Sequence, residues 1–418
     1  MAVNRRRFLA AGALATPVLT ASSQFASAAP YPAGTVTPGA DRLAAEGWQR
    51  LADRRIGVLS NPTGVLGNRN HIVDSLVAAG IRPVAVFGPE HGFRGSAQAG
   101  GSEGDYADPR TGIAVYDTYG VGADEFASMI SKAGVDTVVF DIADVGARFY
   151  TYIWSMYTAM RAAARTGAAF VVLDRPNPVG GAALGPMLDP AFSSGVGLRP
   201  IVQQHGMTVG ELARFFAAEF LPADGDSLAQ LEIVEVRGWT RDLLFRETGL
   251  AWTPPSPNMP TPETALVYPG TCLFEGTSFS EGRGTTQPFE ILGAPGVDWR
   301  WRDELIGQRL KGVTFRETYF VPTFGKFAGV TCGGVQLSVT EPGAFDAIRT
   351  AVAMIVTARS LYPDLFGWRA DNFIDELSGS ARLRTMVDAG ADTDDIVGSW
   401  HEELTTFRRR REQYLMYR

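Results

Sequence analysis

The sequence predicts an α/β protein, a Rossmann-like parallel sheet with helices on both faces followed by a smaller α+β part. Over the first two-thirds of the chain, short apolar runs alternate with amphipathic segments, the rhythm of a parallel sheet covered by helices. From about Trp239 that rhythm stops. Pro254, Pro255, Pro257, Pro260 and Pro262 then crowd a stretch that reads as an irregular crossing between domains. The 418 residues suffice for two domains with a core each, divided here as 45–250 and 251–418.

Ile56-Gly57-Val58-Leu59 reads as the first buried strand, and Ile72 to Ala79 as the helix after it. Val84 to Phe87 is the next strand, followed by a long Gly-rich loop to about Arg110. Ile113 to Tyr116 is the third strand, and Asp124 is expected to cap a helix ending near Gly134. Thr137 to Phe140 and a helix over 151–166 follow, then Phe170 to Leu173 and a helix from Val209 to Phe220. Leu231 to Val236 closes the sheet. In the second part, Val335 to Val339 reads as a strand, 345–361 as a helix, and the C-terminus as a charged helix.

The N-terminus reads as an export signal. Arg5-Arg6-Arg7-Phe8-Leu9 is a twin-arginine pattern, an apolar Ala-rich stretch follows, and Ala26-Ser27-Ala28 offers a cleavage site. The expected location is extracytoplasmic, reached folded, with no lipid anchor, since no cysteine sits near the cleavage site. The formal charge is −7, and losing three signal arginines makes it more acidic still. That balance excludes nonspecific nucleic-acid binding. Cys272 and Cys332 allow at most one disulfide, and with four histidines and no Cys/His cluster no metal or other cofactor is expected.

In open parallel sheets, ligands bind beyond the carboxyl ends of the strands. Those ends carry Asn61, then Glu90-His91-Gly92-Phe93-Arg94, then Asp141, Asp144 and Arg148, then Asp174-Arg175-Pro176-Asn177, with His205 after a short apolar run. Each residue alone has a plainer reading as a cap, turn or loop pin; together they describe a polar rim on a rigid scaffold. The second part adds Asn258 and a Gly-rich run from Glu275 to Thr286 containing Glu281 and Arg283. That run matches neither of the phosphate-binding patterns GxxxxGK[ST] and GxGxxG. It suits a polyhydroxylated anionic ligand, or simply a solvated hairpin. Phe149, Tyr150, Tyr152 and Trp154 offer a sugar platform but are expected rather to pack in the core.

The runs SNPTGV, FGPEHGFRG, VFDIADVGARFYTYIW, LDRPNPVGG, QHGMTVGELA, PSPNMPTPETALVYPGTCLFEG and SEGRGTTQPFE resemble the exo-β-N-acetylmuramidase family, the NamZ-like proteins. The resemblance extends from about Arg55 to the C-terminal helix. It implies a Rossmann-like domain, a smaller C-terminal domain, an active site between them, and release of N-acetylmuramic acid from the non-reducing end of peptidoglycan fragments. It also implies that Glu90, in the PEHG motif, is catalytic. Glu90 is then expected as general acid, kept protonated by burial in the cleft. Asp141, Asp144 or Glu281 would orient the sugar's acetamido group, and Arg94, Arg148 or Arg283 would hold its lactyl carboxylate. Asn61, His91, Asn177, His205 and Asn258 complete the expected substrate-binding set. The expected partner is a saccharide of the MurNAc-GlcNAc type. Three other readings remain: a metal-dependent hydrolase on the same rim, a nucleotide-binding oxidoreductase suggested by fold alone, and a non-catalytic cell-wall binding protein.

Overall fold

The computed structural model describes residues 36–98 and 100–418, so the twin-arginine segment and its cleavage site lie outside the described residues. In chain order the strands are β1 (Ile56–Ser60), β2 (Ala85–Gly88), β3 (Tyr106–Ala107), β4 (Ala114–Asp117), β5 (Thr137–Asp141), β6 (Ala169–Leu173), β7 (Leu184–Met187), β8 (Val202–Gln204), β9 (Leu231–Val234), β10 (Ile291–Ala294), β11 (Val313–Phe320) and β12 (Cys332–Val339). The helices that matter to the site are α1 (Gly39–Ala45), α2 (Ile72–Ala78), α3 (Ala123–Ala133), α4 (Tyr152–Thr166), α5 (Val209–Glu219), α6 (Pro262–Thr271), α7 (Trp299–Gly307), α8 (Ala347–Leu361) and α9 (Phe373–Ser378).

Seven strands form one sheet in the order β3-β4-β2-β1-β5-β6-β9, parallel throughout except for the two-residue edge strand β3. The six parallel strands grow outward in both directions from β1 and β5. This is the doubly wound order, with its switch point between those two strands. Alternation along each strand sends side chains to opposite faces. Leu59, Phe87, Val138, Phe140, Phe170 and Val172 meet α3, α4 and α5 on one face, while Ile56, Val58, Val86, Val139 and Val171 meet α1 and α2 on the other. The expected strands and helices of this half are present to within a residue or two. One local correction concerns α3, whose N-cap position is Gly122, with Asp124 inside the first turn.

The second part holds a three-stranded antiparallel sheet, β10-β12-β11, with α6, α7 and α8. The proline-crowded stretch ends in a regular element, because Thr261 caps α6 and Pro262 takes its first turn, where a missing N–H costs nothing. The larger apolar cluster runs from Leu59 through α4, α6 and α8 to Phe407. A core that continues through both parts is what holds their facing loops in fixed register. Cys272 and Cys332 are both buried and free.

Candidate active site

The PEHG motif is a turn built to hold one carboxylate. His91 and Gly92 both take positive φ, 69° and 84°, and Gly92 N–H closes the turn on the Pro89 carbonyl at 2.8 Å. A side chain at position 92 would collide with the Glu103 carboxyl group. His91 pins the following loop by donating from Nδ1 to the Ala97 carbonyl at 3.0 Å. Glu90 projects from this turn, half-buried. Its Oε1 accepts the Gly100 N–H at 2.9 Å and its Oε2 accepts the Thr151 hydroxyl at 2.8 Å. Sequence reasoning places Glu90 deeper than this; the structure leaves it at a neck.

On one side of that neck lies a cavity of about 350 Å³ lined by Glu90, His91, Asn258, Glu275 and Arg283 together with aromatic side chains. Phe149 and Tyr150 both pack edge-on against Tyr268, and Tyr268 packs edge-on against Phe289 at 4.8 Å. These rings form an apolar wall broken by a few polar groups, the usual make-up of a small-molecule site. The buried Tyr150 hydroxyl lies beside Ser256 in the cavity wall. Arg283 donates to Glu275 at 2.7 Å, and its guanidinium lies 5.1 Å from the Phe289 ring centroid. Burial works against the Arg283 charge, but Glu275 outweighs it and holds the guanidinium above its ordinary value. On the other side of the neck an open groove of about 750 Å³ begins at Glu90 and runs past Thr151 and Val196.

Four of the expected residues thus converge: Glu90, His91, Asn258 and Arg283. The others do not line it, though Asn61 lies beside the cavity's Tyr152 and Asp144 Oδ1 keeps no hydrogen-bond partner among the described residues. Asp141 is fully buried and forms a two-pronged ion pair with Arg175 at 2.6 and 2.8 Å, so it cannot face a substrate. Glu281 lies behind Arg283, 3.0 Å from the Lys326 ammonium. Arg94 is divided between Asp74 and Asp108. Arg148 is fully buried and donates to the carbonyls of Pro186, Ile201 and Leu377; burial lowers it to about 9. Asp144 pairs with buried His205 at 3.0 Å and accepts the Gly146 N–H. Asn61 accepts from Thr63, and Asn177 bridges Val179 and Met207, both as buried turn residues.

The residues that sequence reasoning undervalued are Glu275, Thr151 and the aromatic wall. Glu275 carries a signal, a carboxylate opening a Gly-rich run, that is equally compatible with a solvated hairpin. At the switch point itself, Asp144, Arg175 and Trp252 help enclose only about 60 Å³, which leaves no room for a nucleotide. No three His, Cys, Asp or Glu side chains among the described residues gather as a metal site would require.

A carboxylate at the neck of a largely preformed cavity, presented by the loops of a doubly wound sheet, fits the site of an α/β enzyme. The chain belongs to the NamZ family of exo-β-N-acetylmuramidases: residues 56–263 match the family's N-terminal model and residues 266–417 its C-terminal model. It is 44% identical over 385 residues to the peptidoglycan β-N-acetylmuramidase NamZ of Bacillus subtilis (strain 168), covering 91% of each chain. Two crystal structures of DUF1343 family proteins from Bacteroides fragilis NCTC 9343 share the fold. One has a TM-score of 0.85 at 31% identity, over 93% of this chain and 100% of that one. The other has a TM-score of 0.74 at 32% identity, over 92% and 99%.

Proposed function

We propose that this chain is an exo-acting glycoside hydrolase that releases N-acetylmuramic acid from the non-reducing ends of peptidoglycan fragments, MurNAc-GlcNAc saccharides among them, with Glu90 as general acid. The observation that carries the reading is the position of Glu90 between a cavity and an open groove. A terminal sugar seated in the cavity puts its glycosidic oxygen at the neck, with the rest of the fragment extending along the groove. Glu90 then gives its proton to the leaving oxygen as the C1–O bond breaks. The opposite face of the anomeric carbon needs a carboxylate or the sugar's own acetamido oxygen. Glu275 is the second carboxylate lining the cavity. Of the three arginines expected to meet the lactyl carboxylate, Arg283 is the one that lines it too.

The twin-arginine pattern at Arg5-Arg6-Arg7 supports export in the folded state, which would place the enzyme where peptidoglycan is found. The test is product analysis on fragments that end in either N-acetylmuramic acid or N-acetylglucosamine. The expected result is free N-acetylmuramic acid from the first and no release from the second. Equal release from both would show a hexosaminidase without muramic specificity, and internal cleavage of long fragments would contradict the exo assignment.

A further inference from the structure

We infer that Tyr119 is a specificity-determining residue of the groove beyond Glu90, its ring the platform on which the leaving sugar packs. This rests on the reading of Glu90 as the acid. Glu90, Thr151 and Val196 line the cavity and the groove alike, so the two spaces meet at the carboxylate. Whatever remains bonded to the departing oxygen must lie in the groove.

Tyr119 stands on the loop after β4 and is 40% exposed, among the few large apolar side chains left in solvent. Tyr119 and Glu90 line the same groove, and burial first, then Glu90, holds the phenol above its ordinary value. The loop beneath it is fixed. Asp117 Oδ1 accepts the Tyr119 N–H at 3.0 Å, and the Thr118 hydroxyl donates to the Gly88 carbonyl at 2.9 Å. A part-exposed ring on a backbone held in this way is well suited to pack on the C–H face of a pyranose. The groove's far end carries Arg161 and Arg199, but Asp224 pairs with both and Asp226 also holds Arg161. With its cations already neutralised, the groove favours an uncharged sugar over a second muramic acid.

The experiment compares the disaccharide MurNAc-β-1,4-GlcNAc with the methyl β-glycoside of N-acetylmuramic acid, which has no second sugar. In Tyr119→Ala, the ratio of kcat/KM for the disaccharide to that for the methyl glycoside falls about tenfold, and Tyr119→Trp restores it. An unchanged ratio, whether both rates fall together or neither falls, would overturn the assignment. Glu90→Gln is measured in parallel. If it still cleaves the methyl glycoside at the wild-type rate, the acid is misassigned, and that failure is distinct from any change in the Tyr119 ratio.

Discussion

Arg94, Arg148 and Arg283 each sit beside a glycine or an aromatic residue, and nothing in their sequence neighbours ranks them as partners for a carboxylate. Packing ranks them. Arg94 already has two carboxylates, and Arg148 is enclosed by backbone carbonyls that no ligand reaches. Arg283 keeps its guanidinium at the cavity wall, with Glu275 as counter-charge. Replacing it by glutamine removes a charge-assisted contact, a loss on the order of 1.5–3 kcal/mol. The expected outcome for Arg283→Gln is that the preference for muramic over glucosamine glycosides, read as a ratio of kcat/KM values, falls about tenfold or more. Most of that change should appear in KM, because the contact exists before the transition state. An unchanged preference would move the lactyl group to another part of the cavity. Asp141 and Asp174 follow the same logic. As bare strand-end carboxylates they look catalytic, yet Asp141 is bound to Arg175, and Asp174 accepts from Tyr417, Thr208 and Gly210 in full burial. Arg175 for Asp141, and Thr208, Gly210 and Tyr417 for Asp174, lie 34 or more residues away in sequence, so no local pattern announces them.

At the scale of the element, the amphipathic helices of the sheet are legible because only one face of each is apolar. α6 is not. Its Thr264, Ala265, Val267, Tyr268, Pro269, Gly270 and Thr271 are all buried, which erases the helical period and leaves a run that resembles a loop. Gly270 lets α6 approach the start of α8, since a Cβ there would lie 1.9 Å from the Ala347 carbonyl oxygen. This contact sets where Tyr268 and Glu275 enter the cavity. α2 offers a pH test. His71 caps it by accepting the Val73 N–H on Nδ1 at 3.2 Å, while Nε2 donates to the Asn61 carbonyl at 3.0 Å. The Nδ1 contact needs the neutral ring, and burial, helped by the Arg94 charge and against the Asn61 carbonyl, lowers the imidazole from 6.5 to about 4. Between those two pH values the unfolded chain binds a proton that the folded chain refuses. Stability from this site is therefore present above pH 6.5 and is lost as pH falls toward 4, a change of about 3 kcal/mol. Urea unfolding across that range should show the slope in the wild type and a flatter one in His71→Asn, which keeps a capping oxygen. An identical slope in both would assign the acid sensitivity to other groups.

Across the whole molecule, the parallel sheet follows from the alternation of strand and helix, and the Rossmann-like expectation agrees with the observed topology. The cavity does not follow from it. Glu90 comes from the loop after β2, Thr151 from the start of α4, and Tyr268, Glu275 and Arg283 from α6 and the loops after it. They meet because one apolar cluster extends through both parts of the chain. Pairings over such sequence distances are a property of packing and not of spacing. The motif PEHG is the exception: its left-handed turn is written locally, in a histidine and a glycine, so the placing of Glu90 at the rim is legible in the sequence. The most direct test replaces Glu90 with glutamine, which keeps the shape and can still accept from Thr151 or Gly100 but cannot donate the proton. On a disaccharide, with its poor leaving group, the rate should fall by about two to four orders of magnitude. An aryl glycoside, whose leaving group needs less protonation, should lose less, and the unfolding midpoint should stay near that of the wild type. A Glu90→Gln enzyme that cleaves the disaccharide at the wild-type rate would contradict the account.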